Sequence, residues 1–377
     1  MSKNNELHIL FASRLVEEKW VEILIKTIEA SCRDEYTRYH IVWHVCARGT
    51  HEADIRLLVQ KYPQRVIYHG GVSQVGLATL YRQADFLFMP SLFLETFGLT
   101  ALESLACGTW VIGFQKGWLV SFIPDALSLD RRDPVGSFFS IIESSQGQDS
   151  LVDISSYTSV LWKWSLREIF LKDSSIVLLH DYREKIGGAE YYAWQAEDAL
   201  RQLEYTTSRY SYEWSTTVWK RRWLFIFSLF TFWRYFLVLS FLRKTSPTTI
   251  WMHSILRYMG HWWVRAVKRY IDESDAKVYL SHHDVWLLAP FPQSITEEDQ
   301  IPGDASLWAF VVGLSSMRQI FACIKWWYIW LIKNLLPKNT THIIFSPFLE
   351  KHIWAHFPGH AIIVLPHSYD ETVFHPD

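Results

Sequence analysis

PSLFLETFGLTALESLACGTWVIG, residues Pro90 to Gly113, is the stretch that decides the fold. It opens at the end of the apolar run FLFMPS and closes in a second apolar run, TWVIGF, while TALESLAC between them has the spacing of a short helix. Strand, turn, helix and strand in so short a span form the unit from which parallel sheets are assembled. Two carboxylates, Glu95 and Glu103, are separated by seven residues, and Gly98 lies between them. Phe97-Gly98-Leu99 is expected to make a tight turn into the helix. The first-turn N–H groups and the positive end of the helix dipole there suit a diphosphate. Gly98 lets a phosphate come close to the backbone. Glu103, about one turn into the helix, can accept both hydroxyls of a ribose, and Glu95 can face a sugar ring. Either Glu alone reads as a solvated surface residue; the whole string does not.

The same alternation extends in both directions. Towards the N-terminus lie the strands HILFAS, RYHIVWHVCA and RVIYHGG, with the helices EILIKTIEASC, ADIRLLVQKY and GLATLYRQA between them. This makes a Rossmann-like half, expected over residues 1–170 and ending at the helix YTSVLWKWSLREIFLK. A second βα series fills 171–377: SIVLLHD, a Gly-Gly turn, the helix AEYYAWQAEDALRQL, then the strands TIWMHS, KVYLSHHD, THIIFS and AIIVLPH. The fold class is therefore α/β, with two domains of parallel sheet flanked by helices and one covalent crossing between them.

A length of 377 residues also favours two domains. The net charge of −2 gives no global field for nucleic acid, which is excluded as a partner. Cys32, Cys46, Cys107 and Cys323 are far apart, with no metal-ligand spacing, and are expected as reduced core-filling thiols. The N-terminus lacks a secretory apolar segment, so a cytoplasmic location is expected. The unusual quantity is 20 Trp.

In the first βα turn, SRLVEEK places Arg14 and Lys19 after a strand, where ligands of open α/β sheets bind. Two cations there suit a pyrophosphate leaving group; in isolation the pattern reads as a solvated helix start. Together with the Glu-x7-Glu string and VIYHGGVS, these residues resemble the family 4 retaining glycosyltransferases of the GT-B fold, over nearly all of residues 8 to 170. The resemblance implies that Arg14 and Lys19 hold the diphosphate, Glu95 the transferred sugar and Glu103 the ribose. Phe97, Gly98 and Leu99 complete the donor turn. Ser13 and Trp20 stand where the family usually has Gly, and Trp110 where it has Pro; a bulky Trp20 would narrow the diphosphate pocket.

The second half resembles the same family's N-terminal domain. HDYREKIGGAEYYAWQ matches its opening strand and glycine loop, with Gly187 and Gly188 allowing close approach of the ligand. VYLSHHDVWLLAP places His283 at a strand end, where the family's histidine contacts the donor sugar; His282 is the alternative and His253 a weaker one. The two domains are then in circularly permuted order, or the chain joins pieces of two tandem enzymes. The resemblance implies transfer of a sugar from a nucleoside diphosphate sugar to a saccharide or lipid-linked acceptor with retention, with no cofactor and no metal. A catalytically weak nucleotide-sugar-binding scaffold is the competing expectation, and an epimerase a third.

The stretch WKRRWLFIFSLFTFWRYFLVLSFLRK is long enough to be considered as a membrane span, but Arg234 interrupts it and both flanks are basic. With LRYMGHWWVRAVKRY and MRQIFACIKWWYIWLIKNLLPK it fits helices lying on an anionic membrane surface at the inner face of the cell membrane. The competing reading is internal packing with charged tips reaching solvent.

Overall fold

The computed structural model describes residues 6–33, 37, 39–91, 97–144, 152–172, 174–180, 188–211, 232–253, 261–283 and 316–376. They form two compact units, Met1–Ser159 with Ser368–Asp377, and Val160–His367. The chain thus crosses between units twice, at 159/160 and 367/368, which corrects the expected single crossing.

The first unit alternates β1 (Glu6–Ala12), α1 (Val21–Ser31), β2 (His40–Cys46), α2 (Glu52–Lys61), β3 (Val66–Tyr68), α3 (Gln74–Gln83), β4 (Phe86–Met89), α4 (Leu99–Ala106), β5 (Trp110–Gly113) and α5 (Pro134–Ser144). The strands pair in parallel in the order β3-β2-β1-β4-β5, with Ile9 opposite Trp43 on one side and Phe86 on the other. Ile9, Leu10 and Phe11 are completely or almost completely buried, as a central strand covered on both faces requires. Trp43 anchors one layer of the core. Its ring meets Phe88 and Phe138, each at 5.5 Å, and its indole N–H donates to the Ser31 hydroxyl at 2.9 Å. The Ser73 hydroxyl accepts from the Gly76 N–H and caps α3, which fixes where that helix starts.

The second unit runs α6 (Ser159–Ile169), β6 (Ser175–His180), α7 (Gly188–Gln202), β7 (Thr206–Ser211), α8 (Trp233–Thr245), β8 (Thr249–His253), α9 (His261–Ile271), β9 (Lys277–His282), α10 (Ser316–Leu335), β10 (Thr340–Ile344), α11 (Glu350–His356) and β11 (Ala361–Val364). Its six strands are parallel in the order β11-β10-β9-β8-β6-β7. Both sheets are parallel and flanked by helices, the α/β class expected from the sequence.

Part of the tryptophan excess goes into this core. Trp251 and Trp263 are buried, and the Trp251 indole donates to the Ser281 hydroxyl at 2.8 Å. The helix expected to close the first half, α6, packs into the second unit instead: Trp162 meets Tyr192 at 5.5 Å, and Phe170 just after it meets Trp251 at 5.0 Å. Cys46 and Cys107 are buried as expected, whereas Cys32 is half-buried and Cys323 is exposed, which corrects the core-filling expectation for those two.

Candidate functional site

In an open parallel sheet the crevice lies beyond the carboxyl ends of the strands where the strand order reverses. In the first unit this point lies between β1 and β4. The turn after β1 carries Arg14, exposed, and Lys19, which ends a short 3-10 turn over Glu17–Lys19. Leu15 between them is buried and tied to the loop after β2. Its N–H donates to the Arg48 carbonyl at 2.9 Å, and its carbonyl accepts from the His51 N–H at 3.2 Å. A side chain on Gly49 would overlap the Leu15 carbonyl, so this close approach needs glycine.

The second wall is the turn into α4. Gly98 is left-handed, with φ 85° and ψ 49°, and its carbonyl accepts from the N–H groups of Ala101 and Leu102. A Cβ there would lie 2.8 Å from Leu119 Cδ2, and the left-handed conformation is what selects glycine. The N–H groups of Leu99 and Thr100, which precede these bonds, have no intrahelical acceptor, as at any helix start. Phe97 is 3% exposed and is held from behind by Phe122 and Tyr157, at 5.9 and 5.8 Å edge-on, and by Trp118 stacked at 6.3 Å. This aromatic cluster fixes the turn from which α4 departs.

Glu103 lies on the second turn of α4, next to the buried Tyr81 of α3. Burial pushes its carboxyl up to about 8, partly offset by the Tyr81 hydroxyl. A carboxyl kept from ionising by its surroundings is a marker of functional sites. Glu95 lies outside the described residues, as does Gly187. Two further cations on this edge were not singled out from the sequence: Arg48 after β2, whose Nε comes within 2.8 Å of a Cβ built on Gly71, and Lys116 after β5, only 7% exposed. A lysine beside a glycine in a loop carries no periodic signal.

Trp20, where the resembled family has glycine, has φ 51° and ψ 48° at the start of α1. The backbone keeps a left-handed state and the indole packs edge-on against Phe114 at 5.8 Å. Trp110 is the half-buried first residue of β5.

In the second unit the strand order reverses between β6 and β8. These strands end in His180 and His253, and His283 directly follows β9. His253 Nδ1 and His283 Nε2 are 3.2 Å apart. Tyr192 of α7 lies under them, with ring centres 5.9 Å from His253, 5.1 Å from His283 and 4.4 Å from His367. Burial, and then the neighbouring imidazoles, hold His253 and His283 well below the usual histidine range, and burial pushes His367 down to about 3. The cluster is neutral at pH 7 and can offer hydrogen bonds but no charge.

His282, the alternative to His283, instead bonds His342 Nδ1 at 2.7 Å and is 4% exposed, so it belongs to the sheet interior. His180, His367 and Tyr192 were missed in the sequence, although His180 and His367 end or follow apolar runs as His253 and His283 do. Gly188 is the first residue of α7. Among the described residues no group of three or more His, Cys, Asp or Glu side chains is placed to hold a metal ion.

A parallel sheet with cations and a glycine-started helix at its switch point is the geometry that suits an anionic ligand. Residues 2–127 match the family model described as glycosyl transferases group 1. The D-inositol 3-phosphate glycosyltransferase of Xylanimonas cellulosilytica is 32% identical over 132 residues, which is 34% of this chain and 31% of that one. An uncharacterized glycosyltransferase of Methanocaldococcus jannaschii is 30% identical over 123 residues, 32% of this chain and 30% of that one. The match thus spans about a third of the length of these curated relatives. Among solved structures, the catalytic domain of cholesterol-α-glucosyltransferase from Helicobacter pylori aligns with a TM-score of 0.31 at 18% identity, covering 37% of this chain and 87% of that one. The pneumococcal O-GlcNAc transferase in complex with UDP and GlcNAc aligns with a TM-score of 0.33 at 18% identity, covering 38% and 30%.

Proposed function

We propose that the chain is a GT-B, family 4 type glycosyltransferase in permuted domain order, moving a sugar from a nucleoside diphosphate to a saccharide or lipid-linked acceptor with retention and without a metal. The observation that carries the proposal is the placement of Arg14, Lys19 and the Gly98 turn on either side of the β1/β4 switch point. In this reading Arg14, Lys19 and the N–H groups starting α4 neutralise the charge that grows on the departing diphosphate. Glu103 accepts the ribose hydroxyls and Glu95 the hydroxyls of the sugar. His283, neutral and backed by His253 and Tyr192, donates a hydrogen bond to the sugar rather than a charge.

Nucleotide binding tests this reading. Calorimetry with UDP, GDP and their sugars is expected to show one class binding, and Glu103→Ala to weaken it at least about tenfold, the effect of losing one charge-assisted hydrogen-bonded pair. The pH dependence is a sharper readout. Glu103 is protonated below about 8, and the ribose diol favours the ionised form, so affinity should climb from pH 6.5 to 9 in the parent and stay flat in Glu103→Gln. Unchanged affinity in Glu103→Ala overturns the donor-site assignment. The left-handed Trp20 favours a second reading, a nucleotide-sugar-binding scaffold with little turnover. Binding without nucleotide release from any sugar donor would select it.

A further inference from the structure

The second unit carries a feature that donor chemistry does not use. The start of α8, the exposed side of α9 and the end of α10 enclose an open groove of about 550 Å³. Phe232 and Phe236 from the start of α8 and Trp262 from α9 form its apolar wall, and Arg265, Lys268 and Arg269 from α9 its charged one, with Asp272 the single carboxylate in the lining. The aromatic residues are not core: Phe232 is 56% and Phe236 61% exposed, and Trp233 and Leu237, each one position further round α8, are 51% exposed. The helix packs inward through Arg234, Val238, Leu239 and Leu242, so the aromatic face is an additional one. The cations are held in place: Arg265 lies over the Trp262 ring at 5.6 Å, Arg269 reaches Glu273 at 2.7 Å, and Lys268 reaches Asp272 at 3.3 Å.

We propose that this groove docks on a bilayer containing anionic phospholipid, with a lipid phosphate between Arg265, Lys268 and Arg269 and the Phe232–Leu237 face in the acyl boundary. A surface that alternates bulky aromatics with cations matches the one partner that stacks anionic groups directly above hydrocarbon. With Arg243, which shares Glu273 with Arg269, four cations stand against the two carboxylates Asp272 and Glu273, an excess of positive charge complementary to that layer. Among the described residues no helix is long and apolar enough to cross a membrane. Residues 224–231 of the aromatic run lie outside the described residues and are not needed for it.

The test is co-sedimentation of the full chain with vesicles of phosphatidylcholine alone or with about one third phosphatidylglycerol. Binding is expected only to the anionic vesicles, and it should fall as salt rises. Removing one cation near the surface costs roughly fivefold in binding, so Arg265→Ala should lose about that much and Arg265→Lys should recover it. Phe236→Ser should lose a similar factor, whereas Trp354→Ser, an exposed tryptophan on α11, should bind like the parent. An unfolding midpoint equal to the parent's certifies each variant. Equal binding to neutral vesicles, no binding at all, or parent-like binding by both groove variants would overturn the proposal. So would a concentration-dependent dimer in sedimentation velocity that Phe236→Ser disperses, since the occupant would then be a second copy. Binding of inorganic phosphate in calorimetry without vesicle binding reassigns the groove to a soluble anion and equally overturns it.

Discussion

Trp20 occupies a left-handed backbone state that costs an L-residue about 1–2 kcal/mol, and its indole contact with Phe114 offsets part of that. Strain and contact are separable by two substitutions. Trp20→Ala removes the ring and keeps a Cβ at positive φ, whereas Trp20→Gly removes the ring and the strain together. Glycine also loosens the unfolded chain, which returns part of the gain. The glycine variant is therefore expected to be more stable than the alanine variant by roughly 0.5–1 kcal/mol in urea unfolding. Alanine ranking above glycine would mean that the turn at Trp20 is not strained.

At the scale of elements, β9 and β10 are joined by more than their backbone ladder. His282 Nε2 meets His342 Nδ1 at 2.7 Å, and His342 Nε2 meets His360 Nδ1 at 3.0 Å, a chain in which the central His342 ring donates at one nitrogen and accepts at the other. A neutral His342 ring can do both, whereas a protonated one can only donate. Burial pushes His282 to about 3 and His342 to about 2, so the folded state takes up protons at lower pH than the unfolded chain does. The sign follows: the stability is fully present above the unfolded value near 6.5 and is lost as pH falls towards the folded values. Each ring should remove about 2 kcal/mol between pH 7 and pH 5. Unfolding midpoints for the parent and His342→Leu should therefore converge as pH drops. Parallel curves would show that His342 does not set the acid sensitivity.

The strands that hold these histidines were legible because they are short apolar runs bounded by turns, as in KVYLSHHD and THIIFS. β7 was not: TTSRYS is a half-exposed edge strand without apolar alternation. It is secured by side chains, with Tyr210 against Phe241 and Trp263 at 5.1 and 5.3 Å and Arg209 over Trp194 at 3.5 Å, which no local pattern announces. The Glu-x7-Glu string was equally legible as turn and helix, but the burial of Glu103 against Tyr81 depends on a residue 22 positions away in the sequence and could not be read locally.

At the scale of the whole molecule, the first unit is assembled from both ends of the described chain. Phe374 is 2% exposed and faces Tyr81 at 6.3 Å, and the Ser159 N–H donates to the Glu371 carboxylate at 2.8 Å. The Arg82 guanidinium donates to the Val373 and His375 carbonyls at 3.5 and 3.4 Å, so the segment is held by its backbone as well. Tyr81 lies next to Glu103, which makes Phe374 part of the wall behind α4. Emptying that position leaves a cavity, and Phe→Ala at a buried site costs about 3–5 kcal/mol. Because Ser368–Asp377 belongs to the first unit, the loss should fall there: in Phe374→Ala, amide exchange should accelerate across β1–β5 while β6–β11 keeps its protection. Equal acceleration in both sheets would mean that the two units unfold as one. No acceleration in β1–β5 would mean that the C-terminal segment contributes nothing to the unit on which it lies.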